Sequence, residues 1–289
     1  MATPIEYTSN DGLKLYATSR GPSNAEMTVL CMHGLTRNAK DFDPLIDAIG
    51  EERYRFISVD VRGRARSDRD PNPENYTPPV YVGDMATLLD QLGLRRVALI
   101  GTSMGGLMSM LMMKTMPDRI SGVVLNDVGP KLEPAGLARI GGYVGEIAPL
   151  ENWQVAADAL AQTQGSAFPG KDTDFWMAFA KRTFRELEDG RVILDYDPAI
   201  ADSLKKIKAG AVTRFAMWRL FNAMKRAPLL VVRGEISDLF SAKTAGLMVK
   251  RHPDAKEIVV PNVGHAPILD EPEAVAGISA FLAKLEANQ

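Results

Sequence analysis

Ser103 lies in Gly101-Thr102-Ser103-Met104-Gly105, a serine with glycine two residues away on each side. That spacing predicts a turn too tight for side chains at its flanks, with the hydroxyl standing clear and the positive end of a helix behind it. A serine hydroxyl becomes a nucleophile only beside a general base. The chain has three histidines. His265, in Asn262-Val263-Gly264-His265-Ala266-Pro267, follows the last apolar run. Loops at the carboxyl edge of a parallel sheet are where reactive groups collect, so His265 is the expected base. His33, in His-Gly after an early apolar run, is expected to brace its loop. His252, just before Pro253, is expected at a helix end or on the surface. The base needs an orienting carboxylate. Asp238, in Val231-Val232-Arg233-Gly234-Glu235-Ile236-Ser237-Asp238, is the first choice. Asp127 and Glu235 are its rivals, Asp127 because it closes an earlier run that would end at the same sheet edge. A tetrahedral oxyanion requires two N–H donors. The backbone of Met104 supplies one in this reading and that of Leu35, after His33-Gly34, the other; Gly34 is expected to let the loop come close without a Cβ.

These residues need a scaffold. Short apolar runs at 27–32, 54–60, 96–101 and 120–127 alternate with helix-period segments at 41–49, 79–92 and 105–116. This βαβα rhythm predicts an α/β fold, a mostly parallel doubly wound sheet with helices on both faces. Residues 5–7 and 13–19, joined at Asn10-Asp11-Gly12, predict an antiparallel hairpin. From 131 to 226 the spacing is mostly helical, and the rhythm resumes after it. The expected organisation is one core domain, 1–130 and 227–289, with a helical cap inserted at 131–226. The six methionines from Met104 to Met116 are expected as core filling, the three tryptophans as cap anchors or pocket walls, and the run Arg62, Arg64, Arg66 as a self-compensating surface loop beside Asp60, Asp68 and Asp70.

Composition narrows the function classes. With 46% hydrophobic and 24% charged residues, the chain has enough apolar surface for a core, which excludes intrinsic disorder. Lys+Arg 34 against Asp+Glu 36 gives a net charge of −2, so no general attraction to nucleic acid or anionic membranes is expected. A single cysteine, Cys31, excludes an intramolecular disulfide and multi-cysteine metal sites. No metal and no cofactor are expected, and the expected partner is a small-molecule substrate. Residues 1–7 show no secretory pattern and no run approaches the ~18 apolar residues of a membrane helix. The cytoplasm is the expected location.

The segments His33–Leu35 (HGL), Asp60–Asp68 (DVRGRARSD), Gly101–Gly106 (GTSMGG), Arg233–Asp238 (RGEISD) and Val263–Pro267 (VGHAP) together resemble the α/β-hydrolase superfamily, in order and spacing, over nearly the whole chain. The resemblance implies a Ser103, Asp238, His265 triad, oxyanion donors at Leu35 and Met104, and a helical cap. One departure is Ala65, where many relatives have a second glycine in D-x-R-G-x-G-x-S. Ser103 argues against the members that use an aspartate nucleophile, the haloalkane dehalogenases and epoxide hydrolases. The activity implied is hydrolysis of a small or medium carboxylic ester, lactone or thioester through an acyl-enzyme. Carbon–carbon bond hydrolysis of a diketone-like substrate, or a receptor role on the same fold, are the alternatives.

Overall fold

The computed structural model of the chain describes residues 2–145, 148–202 and 211–288. In chain order the strands are β1 (Thr3–Thr8), β2 (Lys14–Arg20), β3 (Thr28–Met32), β4 (Arg55–Asp60), β5 (Val97–Thr102), β6 (Ile120–Asn126), β7 (Phe184–Glu186), β8 (Val192–Leu194), β9 (Leu229–Gly234) and β10 (Ala255–Val260). The helices are α1 (Asp43–Ile49), α2 (Pro78–Gln91), α3 (Met104–Thr115), α4 (Pro134–Gly141), α5 (Trp153–Gln164), α6 (Thr173–Thr183), α7 (Ala211–Asn222), α8 (Ala242–Arg251) and α9 (Pro272–Glu286). Among the described residues, no helix is long and apolar enough to cross a membrane.

Eight strands form one sheet in the order β1-β2-β4-β3-β5-β6-β9-β10. β2 runs antiparallel to both neighbours, and every pairing from β4 to β10 is parallel. Strands β3, β6 and β9 are buried along their whole length. Their central apolar runs, Val29–Met32, Val123–Leu125 and Leu229–Val232, are what a parallel strand covered on both faces requires. Alternate side chains serve opposite layers. Leu30, Met32 and Leu99 pack with Met85 and Leu88 of α2 and Met108 and Met112 of α3. Val29, Cys31, Ala98 and Ile100 pack with Leu45 and Ile46 of α1 and Ile278 and Leu282 of α9. The methionines of α3 are therefore core, and burial holds the Cys31 thiol well above its ordinary pKa. β10 is the edge strand beyond β9, half exposed and carrying Lys256 and Glu257, charges of the kind that discourage edge pairing.

Between β6 and β9 the chain leaves the sheet. Helix α6 packs against the loop after α5 through Phe168, Phe175, Trp176 and Phe179, whose ring centroids lie 5.0–6.2 Å apart. This segment is not only helical: β7 and β8 form an antiparallel ribbon with Phe184 opposite Leu194. Strands of three residues are too short to impose a visible alternation on the sequence. The region around the ribbon docks on the loop after β4, where Ala65 N–H donates to Asp195 O (2.9 Å) and Asp197 N–H to Gly63 O (2.7 Å). Ala65 there has φ +44°, the left-handed region that a glycine enters without a Cβ penalty.

Candidate active site

The turn from β5 into α3 is built by exclusion. A Cβ on Gly101 would lie 2.4 Å from Gly105 O, and one on Gly105 would lie 1.9 Å from Met32 O. Neither position admits a side chain, so strand and helix approach until Ser103 occupies the corner with φ +51° and ψ −110°. Neighbouring elements hold that strained residue in place. Ser103 N–H donates to Asn126 O of β6 (3.0 Å), and Gly105 N–H donates to His33 O (3.1 Å).

His265 reaches this corner from the loop after β10. Its Nε2 lies 3.0 Å from Ser103 Oγ, and its Nδ1 lies 2.8 Å from an oxygen of Asp127. A carboxylate offers only acceptors, so Nδ1 carries the proton and Nε2 is left to accept from the serine hydroxyl. Asp127 follows β6 directly, with φ +53° and no solvent exposure. Its Oδ2 also accepts from Ser237 Oγ–H (2.5 Å), and its Oδ1 from Gly234 N–H (2.9 Å). A buried carboxylate with three donors is fixed in direction.

The sequence expectation for the third residue is corrected here. Asp238 does not meet His265. It accepts two hydrogen bonds from Arg139 of α4, Nε to Oδ2 at 2.6 Å and Nη2 to Oδ1 at 2.9 Å. That pairing holds the Asp238 carboxyl below the usual carboxylate range and raises the Arg139 pKa. Asp238 lies four residues beyond the end of β9, whereas the sheet places Asp127 beside the nucleophile: Thr102 pairs with Asn126, so the next residues, Ser103 and Asp127, emerge side by side. Glu235 is turned elsewhere, accepting from Asn262 N–H (2.9 Å).

The expected oxyanion donors flank the serine. Among the described residues, the N–H groups of Leu35 and Met104 have no hydrogen-bond acceptor, so both are available to a ligand. A Cβ on Gly34 would meet Arg37 Cγ at 3.5 Å and Ser103 Cβ at 3.9 Å, ordinary contacts. Space alone therefore does not demand glycine there, contrary to the sequence expectation. His33 braces the loop: Nδ1–H donates to Gly34 O (2.6 Å) and Nε2 accepts from Val61 N–H (3.1 Å). Complete burial lowers its pKa to about 3, so the ring is neutral. His252 likewise serves structure, with Nε2 on Met224 O and Nδ1 accepting from Asp254 N–H.

Of the arginine run only Arg66 is exposed; Arg62 and Arg64 are not on the surface. Arg62 is buried against Asp11, Asp70 and Asp84. Arg64, fully buried, donates to Leu35 O (3.0 Å), Arg62 O (2.7 Å) and Tyr81 Oη (3.1 Å), with Nη2 3.5 Å from Met104 Sδ. One guanidinium thus touches both residues expected to supply the oxyanion donors. Composition gave no sign of this.

Ser103, His265, Gly34 and Leu35 line a cavity of about 520 Å³ between the sheet edge and the segment that follows β6. Its far walls include Ile140, Leu160, Phe168, Phe179, Phe184 and Tyr196, with Arg37 and Arg182 among the polar groups. Among the described lining residues the rings are phenylalanine and tyrosine; Trp176 instead packs within the aromatic cluster.

A family model described as alpha/beta hydrolase fold matches residues 28–272. The chain belongs to the alpha/beta hydrolase family. This alpha/beta hydrolase is 36% identical over 260 residues to a 3-hydroxybutyrate-oligomer hydrolase of Cupriavidus necator, covering 88% of this chain and 87% of that protein. It is 28% identical over 238 residues to a 2-(acetamidomethylene)succinate hydrolase of Mesorhizobium japonicum, covering 82% and 81%. Among solved structures, an alpha/beta hydrolase from Novosphingobium aromaticivorans superposes with a TM-score of 0.90 at 41% identity over 98% of both chains. The named relatives are hydrolases, and the α/β-hydrolase fold expected from the sequence is the fold observed.

Proposed function

We propose that this alpha/beta hydrolase cleaves carboxylic esters of small or medium size through an acyl-enzyme on Ser103. The observation that carries the reading is the continuous relay Ser103 Oγ, His265 Nε2, His265 Nδ1, Asp127 Oδ2, with contacts of 3.0 and 2.8 Å, at the wall of a cavity of ligand size. In this mechanism Ser103 attacks the ester carbonyl as its proton passes to His265 Nε2. Asp127 stabilises the imidazolium without taking its proton. The negative charge on the former carbonyl oxygen is met by the N–H groups of Leu35 and Met104. His265 then protonates the departing alcohol. Water enters, gives a proton to His265 as its oxygen attacks the acyl carbon, and His265 returns that proton to Ser103 Oγ as the acid leaves. The reading uses no metal or cofactor.

The segment 131–226 acts as a cap in this account, supplying most of the far wall and hence the selection of the acyl or alcohol chain. An oligomer of 3-hydroxybutyrate, the substrate class in the name of the Cupriavidus relative, is a chain of such esters and is the first natural compound to try. The test is a panel of 4-nitrophenyl esters, lactones, thioesters and 3-hydroxybutyrate dimer, beside a β-diketone set. Turnover of esters that is lost in Ser103→Ala is the expected result. Turnover of diketones alone would overturn the ester reading.

A further inference from the structure

We propose that Arg182 binds a carboxylate of the substrate in the Ser103 cavity, which makes this a hydrolase of esters that also carry a free acid group. The inference rests on the ester reading above and names its substrate class.

Arg182 stands in the last turn of α6 and lines the same cavity as Ser103 and His265. Its position relative to the reacting serine is fixed by its own backbone. Arg182 O accepts from Asn38 Nδ2–H (2.7 Å), which ties the end of α6 to the loop carrying Leu35. Its guanidinium lies 5.7 Å from the centroid of the Phe179 ring, another wall of the cavity.

The charge at this place lacks a contact partner. Among the described residues, no carboxylate lies within 4.0 Å of the Arg182 guanidinium and none of its N–H groups has an acceptor. The second arginine of the wall differs. Arg37 donates to both oxygens of Asp41, at 2.8 and 2.5 Å, and to the Thr183 hydroxyl. Arg37 and Asp41 therefore neutralise each other, and Asp43 is paired with Arg20. Asp41, Asp43 and Asp270 act on Arg182 only from beyond contact distance. Burial, the largest influence, lowers its pKa.

A guanidinium presents five donors in a planar fork, and withdrawing them from water without an acceptor is costly. In a cavity that Arg182 lines together with Leu160, Phe168 and Phe179, the group that best satisfies the guanidinium is a carboxylate, which matches the fork with two parallel hydrogen bonds. A ligand carboxylate would also be oriented by the apolar walls, leaving its ester to meet Ser103.

Two matched pairs test this, one for each side of the scissile bond: mono-4-nitrophenyl adipate against its methyl ester, and 3-acetoxybutyrate against methyl 3-acetoxybutyrate. The expected result is that the wild-type enzyme prefers the free acid in at least one pair by about tenfold or more in kcat/KM. Arg182→Gln lowers that preference ratio by about 10- to 100-fold, through KM, and Arg182→Lys retains part of it. Melting curves check that both variants fold. A wild-type preference for the neutral ester in both pairs, or a ratio within twofold of wild type in Arg182→Gln, would overturn the proposal. If neither member of either pair is turned over, the ester reading fails separately. Binding is then read directly, by the shift in Tm that adipate produces. A shift lost in Arg182→Gln supports the carboxylate site, and equal shifts in both proteins refute it.

Discussion

Replacing Asp127 by asparagine removes one negative charge from the relay while leaving its shape intact. The three hydrogen bonds of the carboxylate determine the outcome. Oδ1 accepts from Gly234 N–H, and Oδ2 accepts from His265 Nδ1–H and from Ser237 Oγ–H. An amide has one oxygen and one NH2. If the NH2 faces Gly234, two donors are set against each other. If it faces His265, the ring must take the other tautomer, with the proton on Nε2, where it can no longer accept the proton of Ser103. Either orientation also removes the charge that stabilises the imidazolium. Opposite charges about 4 Å apart attract by about 4 kcal/mol at an effective dielectric constant of about 20. That energy corresponds to a factor of about 10³ in rate, and the tautomer penalty brings the expected loss in kcat/KM to about 10³–10⁴. Asp238→Asn is the matched control. It weakens an ion pair whose carboxylate side chain is 34% exposed. Such pairs contribute about 1 kcal/mol or less to stability, so kcat/KM should stay within about threefold of wild type. The assay is steady-state hydrolysis of a 4-nitrophenyl ester by both variants, with far-UV circular dichroism as the check on folding. A thousandfold loss in Asp238→Asn, with Asp127→Asn within tenfold of wild type, would refute the assignment.

Two further outcomes follow from the groups that brace the site. His33 is buried and neutral, with a pKa near 3 in the folded chain against about 6.5 unfolded. Its folded value is depressed, so its contribution to stability is complete above about pH 6.5 and is lost as pH falls toward about 3, by about 1.4 kcal/mol per pH unit. Asp60, whose pKa burial raises to about 6, works in the opposite sense over part of this range. The measurable quantity is therefore a difference. Between pH 6 and pH 4, the slope of unfolding free energy against pH should be more positive in the wild type than in His33→Gln by about one proton, and equal slopes in chemical denaturation would contradict this. Arg64→Met leaves Leu35 O without its donor and loosens the loop that carries one oxyanion amide. Loss of one such donor costs about 10²–10³ in kcat, and displacement short of loss should cost about tenfold or more, with KM little changed. Steady-state kinetics on a protein of verified fold decide it, and a rise in KM at constant kcat would argue against the bracing role.

The sheet and the nucleophile turn were legible because their causes are local. Gly101 and Gly105 stand where no Cβ fits, and the apolar centres of β3, β6 and β9 mark strands covered on both faces. The partner of His265 was not legible in the same way, because it depends on which strands become neighbours. Chain order favours a carboxylate after β9, but β6 pairs directly with β5, and the register Thr102 to Asn126 carries Asp127 to the side of Ser103. The signal that pointed to it was weak: an aspartate closing a wholly buried strand. The arginines after β4 misled for a related reason. Arg62 pairs with the nearby Asp70 but also with Asp11 and Asp84, 51 and 22 residues away, and Arg64 donates to carbonyls rather than carboxylates, so nearby charges did not reveal their burial. The ribbon of β7 and β8 escaped because three residues per strand leave almost no alternation to detect.

The central claim is that His265 activates Ser103, and covalent labelling addresses it most directly. The protein is treated with a fluorophosphonate and analysed by intact mass and peptide mapping. The account predicts one adduct, on Ser103, that is absent in Ser103→Ala and His265→Ala and formed far more slowly in Asp127→Asn. No adduct on the folded wild-type protein, or labelling of Ser103 undiminished in His265→Ala, would contradict it.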